Sequence, residues 1–410
     1  MTQIGDVLGP HEDVLDSGTP GGSGRWIAIA VVGVLALVGW NLLDSGPEQA
    51  VDRAVDSPAV DSPAVDPPAD RVIEPVPEES LPTDRADQLT FVDDTHGFLV
   101  QYACPLTNAD ASCPRRIVAT SDGGASWEVR GPIPPHHAEH YYQLAAASRD
   151  QLMLIDGATL ASIALSVDGG RSWRQLPVTP AEAAPAPAGA TLTQSAHRCD
   201  QVCKTTLGWI DPAALKSHPL PSQPVAGSGD VLALPSMSSD GDIVVSSVAG
   251  TAGQVSMSTD GGQTWSDTRL EVPLVSVMSQ QYVQVWAAGG GRAYAVVQVY
   301  DGVGTESTYG FRTDDGGLTW ADLRLEGQAV GTGGVLGGEL ITTDLSGQIF
   351  VSSAGGTRWD EVGTVLGSVW LAQTVPDGPV LATMFDDDGE ESYQLSIDGR
   401  SWVPVSLPEM

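Results

Sequence analysis

One eight-residue pattern constrains this chain more than any other feature: Ser/Thr, any residue, Asp, Gly, Gly, any residue, Ser/Thr, Trp. It occurs in full as TSDGGASW (120–127), SVDGGRSW (166–173), STDGGQTW (258–265) and TDDGGLTW (313–320). Two weaker copies follow. SSAGGTRW (352–359) has Ala354 in the Asp place, and SIDGRSW (396–402) is one residue short. Successive tryptophans of the series lie 46, 92, 55, 39 and 43 residues apart, and 92 is twice 46. The doubled gap implies a decayed copy near residues 209–219. Seven units of about 46 residues then fill 86–410, the size of a propeller blade of four short strands.

The pattern explains itself as a turn. Strand-like stretches precede each copy (RIVAT, ASIALS, QVSMS, YGFRT, QIFVS, YQLS) and shorter ones follow (EVR, RQL, ADLRL, VPV), so each copy joins two strands of a hairpin. Asp-Gly and Gly-Gly supply positive φ, and the Asp and Ser/Thr side chains can bond the turn's own amides. The tryptophan then opens the outgoing strand and can bury its face between units. On this reading Asp122, Asp168, Asp260, Asp315 and Asp398, with Trp127, Trp173, Trp265, Trp320, Trp359 and Trp402, are structural residues, because side chains repeated in every unit serve the packing of the unit. The expectation is an all-β, seven-bladed propeller; the visible copies alone would allow six blades.

The motif resembles the Asp-box, or BNR repeat, of the sialidase-like propellers. That resemblance implies a box between the third and fourth strands of each blade, at the edge away from an axial active site. A second stretch, LTFVDDTHGFLV (89–100), looks like the blade opening of BNR propellers related to photosystem II assembly and stability factors. Members of the superfamily include sialidases, xyloglucanases, sortilin-type receptors and non-enzymatic assembly factors, so the likeness implies a fold and leaves the activity open. A sialidase would need three arginines from separate blades to grip a carboxylate, a Phe/Tyr-Arg-Ile-Pro opening, a Tyr/Glu nucleophilic pair and an acidic Asp. The opening is missing: Arg115 and Arg116 precede Ile117 and Val118 without a proline, and Phe311-Arg312-Thr313 leads into a repeat. A sialidase-like exo-glycosidase remains the alternative to a non-enzymatic binding or assembly module for a protein or glycan.

Other residues with chemical potential are few. Cys104, Cys113, Cys199 and Cys203 form two close pairs, which in an extracytoplasmic domain suggests two local disulfides. His197 with Cys199 and Cys203 would be an incomplete zinc set. His136, His137 and His140 crowd the connection from unit one to unit two and could share a metal, but the stretch matches no known ligand spacing and a solvated loop is the default reading. Asp386, Asp387, Asp388, Glu390 and Glu391 read as a hairpin tip as readily as a calcium loop. None of these patterns calls for a cofactor.

The N-terminal part is built differently. Residues 1–25 form a short acidic tail, and 26–43 are an apolar run with Trp26 and Trp40 near its ends, long enough to cross a bilayer. The acidic flank and the lack of an A-x-A site favour an uncleaved anchor over a signal peptide, with the N-terminus inside. Residues 44–85 carry eight prolines, no aromatic residue and eleven acids against three arginines, the composition of an extended, disordered stalk. The chain's formal charge is −33 with only two lysines, and two thirds of that charge falls in 86–410. Such a balance argues against a nucleic-acid partner and implies a neutral or basic one.

Overall fold

The computed structural model describes residues 84–408 apart from 104–114, 135–141, 157–162, 177–180, 197–204, 215, 225–234, 250–251, 274–279, 301–305, 324–328, 345–346, 353–358, 365–367, 374 and 386–390. The expected tail and span, and the expected stalk up to residue 83, therefore lie outside the described residues, while Asp84 and Arg85 belong to the first strand of the structure. So do the four cysteines, the His136/His137/His140 cluster and Asp386–Asp388 with Glu390.

The described residues form 27 strands in seven antiparallel sheets, each assembled from strands that follow one another in the chain. The architecture is an all-β seven-bladed propeller with blades at 84–132, 142–175, 191–219, 236–270, 280–322, 329–364 and 368–405. Six sheets have four strands and the third has three.

Burial explains the strand sequences. Blades stack face to face, so their middle strands are covered on both sides and read as continuous apolar runs, such as Leu152 to Ile155, Ile243 to Val245 and Ala293 to Val297. Fourth strands lie at the rim and are exposed, as in Arg174–Gln175 and Ala321–Asp322. Neighbouring blades are also clamped by glutamines of the innermost strands. The Gln88 amide of blade 1 donates to the Tyr142 carbonyl of blade 2 and accepts from Leu144 N at 2.5 Å. Gln373 of blade 7 makes the same two bonds to Val335 of blade 6, at 2.6 and 2.8 Å. Each clamp satisfies a backbone donor and acceptor at the free edge of an innermost strand.

Among the described residues, no strand of blade 1 pairs with a strand of blade 7. The ring closes through side chains instead, with Phe91 and Trp127 of blade 1 packed on Leu381, Tyr393, Leu395 and Val405 of blade 7. The Trp127 indole donates to the Ser406 carbonyl at 2.7 Å.

Blade 3 departs from the rest. Its strands are Thr191–Ala196, Thr205–Asp211 and Lys216–Pro219. Leu220 N donates to Leu207 O, as Leu176 N does to Ile163 O in blade 2 and Leu323 N to Gly310 O in blade 5. These three strands are thus the second, third and fourth of an ordinary blade. The preceding segment runs along the outer edge of the last one, through Ala181 N to Ser217 O and Ala184 N to Pro219 O. Pro185 and Pro187 in that segment account for its place, since proline cannot donate to a ladder and is confined to sheet edges.

Candidate functional site

The Asp-Gly-Gly turns come first, because the sequence repeats them. They join the third and fourth strands of their blades and share one hydrogen-bond scheme. In blade 4, Ser258 Oγ donates to Asp260 Oδ1 at 2.8 Å and accepts from Gly262 N at 2.8 Å. Asp260 also accepts from Thr264 N at 2.9 Å and Thr264 Oγ1 at 2.6 Å. Asp122, Asp168 and Asp315 repeat the scheme. Asp398, in the shortened copy, keeps it with longer bonds of 3.3 Å to Ser396 Oγ and 3.0 Å to Ser401 Oγ.

These bonds set the protonation state. The Ser126 hydroxyl and amide, with the Thr120 hydroxyl, hold Asp122 down at about 2. Thr319 does the same for Asp315, and the amides of Ser401 and Arg400 for Asp398, both to about 2. Burial pushes Asp168 and Asp260 upward, but their hydroxyl and amide donors outweigh it and both end below the usual value. A glycosidase acid needs the opposite, a carboxyl kept protonated near neutral pH. Asp242, in a different turn of blade 4, is a carboxyl that burial does raise, and Gly291 N donates to it at 2.7 Å.

The sign of the turn shifts gives a prediction. A carboxylate depressed on folding contributes stability that is complete above the ordinary value of 3.8 and is lost as pH falls through about 2. The urea midpoint of the propeller should therefore stay level from roughly pH 7 to 5 and fall steadily below about pH 4. A midpoint unchanged down to about pH 2 would contradict the structural role assigned to these carboxylates.

The tryptophans reveal where the ring differs from itself. Trp173 packs into the core between blades 1 and 2, Trp265 between 3 and 4, and Trp320 between 4 and 5. Trp359, Trp402 and Trp127 occupy the next three seams round to the closure. The core between blades 2 and 3 holds Met153, Ile155, Ile163, Leu165, Leu176 and Ile210, with Ala145 against it and, among the described residues, no tryptophan of the repeat.

Register identifies the missing residue. Ser217 pairs with Ile210 as Trp359 pairs with Ser352 in blade 6. Ser217 also lies three residues before Leu220, as Trp173 lies before Leu176 and Trp320 before Leu323. The decayed copy is thus IDPAALKS (210–217), of full length, with Pro212 in the Asp place, Ala213 and Ala214 in the glycine places and Ser217 in the Trp place. Neither alanine has positive φ, so the usual turn is not formed. Asp211 Oδ1 instead caps a short local turn, accepting from Ala213 N at 2.9 Å and Ala214 N at 3.0 Å.

The result is a groove along this seam. One cavity of about 310 Å³ is lined by Ala147, Met153, Leu165, Ala190, Trp209 and Ile210 among others. A second, of about 410 Å³, continues from Leu165 and Pro212 to Asp168, Ser172 and Arg174. Leu165 precedes the blade 2 turn as Met257 precedes that of blade 4, and Met257 is what Gly317 of the next blade sits against. The groove is where the next turn docks in the other seams. The spacing of the repeat marks the decayed copy but not the groove, because an absent indole leaves no letter in the sequence.

Several arginines are engaged by acids near the turns. Arg292 and Arg312 share Asp314 at 2.9 and 2.6 Å, Arg171 reaches Glu128 at 3.5 Å and Arg400 reaches Asp360 at 3.9 Å. Arg312 is buried, and its guanidinium lies 6.0 Å from the centre of the Tyr294 ring.

No family model and no curated protein matches the chain. Solved structures do. The acylaminoacyl peptidase of Pyrococcus horikoshii aligns at a TM-score of 0.51 and 11% identity, covering 79% of this chain and 52% of that one. YCF48 from Cyanidioschyzon merolae aligns at 0.39 and 12%, covering 74% and 93%. The β-propeller domain of the Trilobed protease from Pyrococcus furiosus, described as having an open velcro topology, aligns at 0.48 and 10%, covering 79% and 98%. This chain thus spans about half the length of the peptidase. At these identities the likeness is one of fold.

Proposed function

We propose that the chain is a membrane-tethered, extracytoplasmic propeller of the Asp-box kind that acts as a non-enzymatic binding module for a protein or glycan partner. The observation that carries this reading is the cavity beside the seam between blades 2 and 3, the seam that no tryptophan of the repeat enters. Apolar concavity with a few polar groups at its rim is the usual form of a recognition site. Ionised, internally bonded carboxylates at the repeated turns suit support of the disc better than acid catalysis. The apolar run at 26–43 would anchor the chain, the Pro/Asp-rich segment would hold the disc off the membrane, and the acidic surface would favour a neutral or basic partner.

The test is photo-crosslinking in intact cells of the native host. A benzophenone amino acid at Ala213, exposed beside the groove, should give one reproducible adduct. The same group at Leu318, 71% exposed on blade 5, should not. Turnover of a fluorogenic sialoside by the purified full-length chain, or equal labelling from both positions, would overturn the proposal.

A further inference from the structure

An aspartate followed by glycine is a point at which a polypeptide can rearrange, because the side-chain carboxyl can close on the next amide and glycine leaves that amide unshielded. Among the described residues there are seven such steps, at Asp122, Asp168, Asp240, Asp260, Asp315, Asp377 and Asp398. Six of the carboxylates are held. Those of the repeated turns accept the hydroxyl and amide bonds described above, and Asp240 accepts from the Ser238 hydroxyl and from Gly290 N at 2.7 Å. Asp377 differs. It is exposed, in the turn between the first two strands of blade 7, Ser368–Gln373 and Val380–Phe385, and among the described residues no donor reaches its carboxylate.

The backbone adds a second distinction. Asp377 has φ +53°, the only positive value outside glycine among the described residues, in a turn closed by Gly378 N donating to Val375 O at 3.0 Å. Proline at the second place and positive φ at the third follow the type II pattern, which favours glycine or asparagine where this chain has aspartate. The bonded amide does not set the turn apart, since Gly123 N, Gly169 N, Gly241 N and Gly316 N also donate to carbonyls. The free carboxylate does.

We infer that Asp377–Gly378 is the step at which the folded propeller converts to a β-linked isoaspartate, and that the conversion loosens the clamp between blades 6 and 7. The Gly378 nitrogen attacks the side-chain carboxyl carbon of Asp377, one carboxyl oxygen leaves as water, and a five-membered imide closes. Water then opens the imide. Opening at the side-chain carbonyl restores aspartate; opening at the main-chain carbonyl leaves the chain running through Cβ and Cγ, with a free α-carboxylate and unchanged composition. That α-carboxylate is the substrate class of protein carboxyl methyltransferases that use S-adenosylmethionine. The clamp responds because Gln373 Nε2 donates to Gly378 O at 2.9 Å as well as to Val335 O of blade 6 at 2.6 Å, while its Oε1 accepts from Val335 N at 2.8 Å. One extra main-chain carbon in the turn moves the Gly378 carbonyl away from the amide that joins the two blades.

The full-length chain is held at neutral pH and physiological temperature, sampled over weeks and digested. Electron-transfer fragmentation locates β-linkages, and methyl transfer from labelled S-adenosylmethionine by an isoaspartyl methyltransferase counts them. Conversion at Asp377 should run roughly tenfold or more ahead of the six held aspartates, since each of those must first shed a charge-assisted hydrogen bond. In guanidinium, where the fold is lost, that lead should vanish. Hydrogen exchange at the Val335 amide should rise as the β-linkage accumulates. Asp377→Gly suits the positive φ and has no carboxyl, so it should remove both the methylation at this position and the rise at Val335.

Conversion at Asp377 no faster than at the held aspartates, or a lead that persists in guanidinium, overturns the inference. An unchanged Val335 amide in protein that carries the β-linkage also overturns it, as does an equal rise at Val335 in aged Asp377→Gly.

Discussion

Gly317→Val destabilises the propeller by about 3–5 kcal/mol, the sum of a backbone cost and a packing cost. Gly317 has φ +83°, a region β-branched residues avoid, and a Cβ added there would lie 2.8 Å from Met257 Cβ in the adjacent blade. Met257 is fully buried in the seam that Trp320 also enters, so the valine cannot turn aside without lifting the whole turn off blade 4. Gly337 separates the two costs. Its φ is +57°, but nothing lies within 4 Å of its added Cβ. Gly337→Val should carry the backbone cost alone, about 1–3 kcal/mol. Urea denaturation followed by tryptophan fluorescence measures both, and equal losses would show that close approach of the turn to the preceding blade contributes nothing.

Trp127→Ala acts on a different property, the closure of the ring. Every other seam joins blades that are neighbours in the chain, whereas Trp127 meets Ser406 across 279 residues. Its indole is edge-on to Phe91, 6.4 Å between centroids at 71°, and both rings pack on blade 7. Removing a large aromatic from such a site costs about 3 kcal/mol. The spatial pattern of the loss is the sharper readout. With no shared strand among the described residues to hold blades 1 and 7 together, hydrogen exchange should rise most in 84–132 and 368–405 and least in 236–322. A uniform rise across all seven blades would mean that the closing seam is no weaker than the rest.

Both variants show how much of the fold lay open in the sequence. Four intact turns and two weakened ones gave the repeat, the hairpin and the structural role of the tryptophans, because turn chemistry is local: Asp260 finds its partners within six residues of Ser258. The doubled interval between Trp173 and Trp265 gave the seventh blade. The Gln88 and Gln373 clamps were not legible, since each joins residues 38 or more positions apart and nothing marks either glutamine off from its neighbours. Nor was the displaced segment of blade 3. Its prolines exclude a central strand, but whether it would lie at the axis or along the outer edge depends on where Lys216–Pro219 presents free backbone groups.

The candidate site marks the boundary most clearly. The sequence by itself determined an all-β ring of seven repeated units, the turn in each unit, and the place in the chain where one unit lost its Asp, Gly, Gly and Trp. Only the tertiary structure decided that this loss opens a groove, because each tryptophan fills the seam with the blade before its own. Its absence from blade 3 leaves a cavity beside Leu165 and Ile210, while Met153 and Leu165 of blade 2 stay buried within the seam. Short-range hydrogen bonding fixed the first set of facts, and packing between units distant in the chain fixed the second.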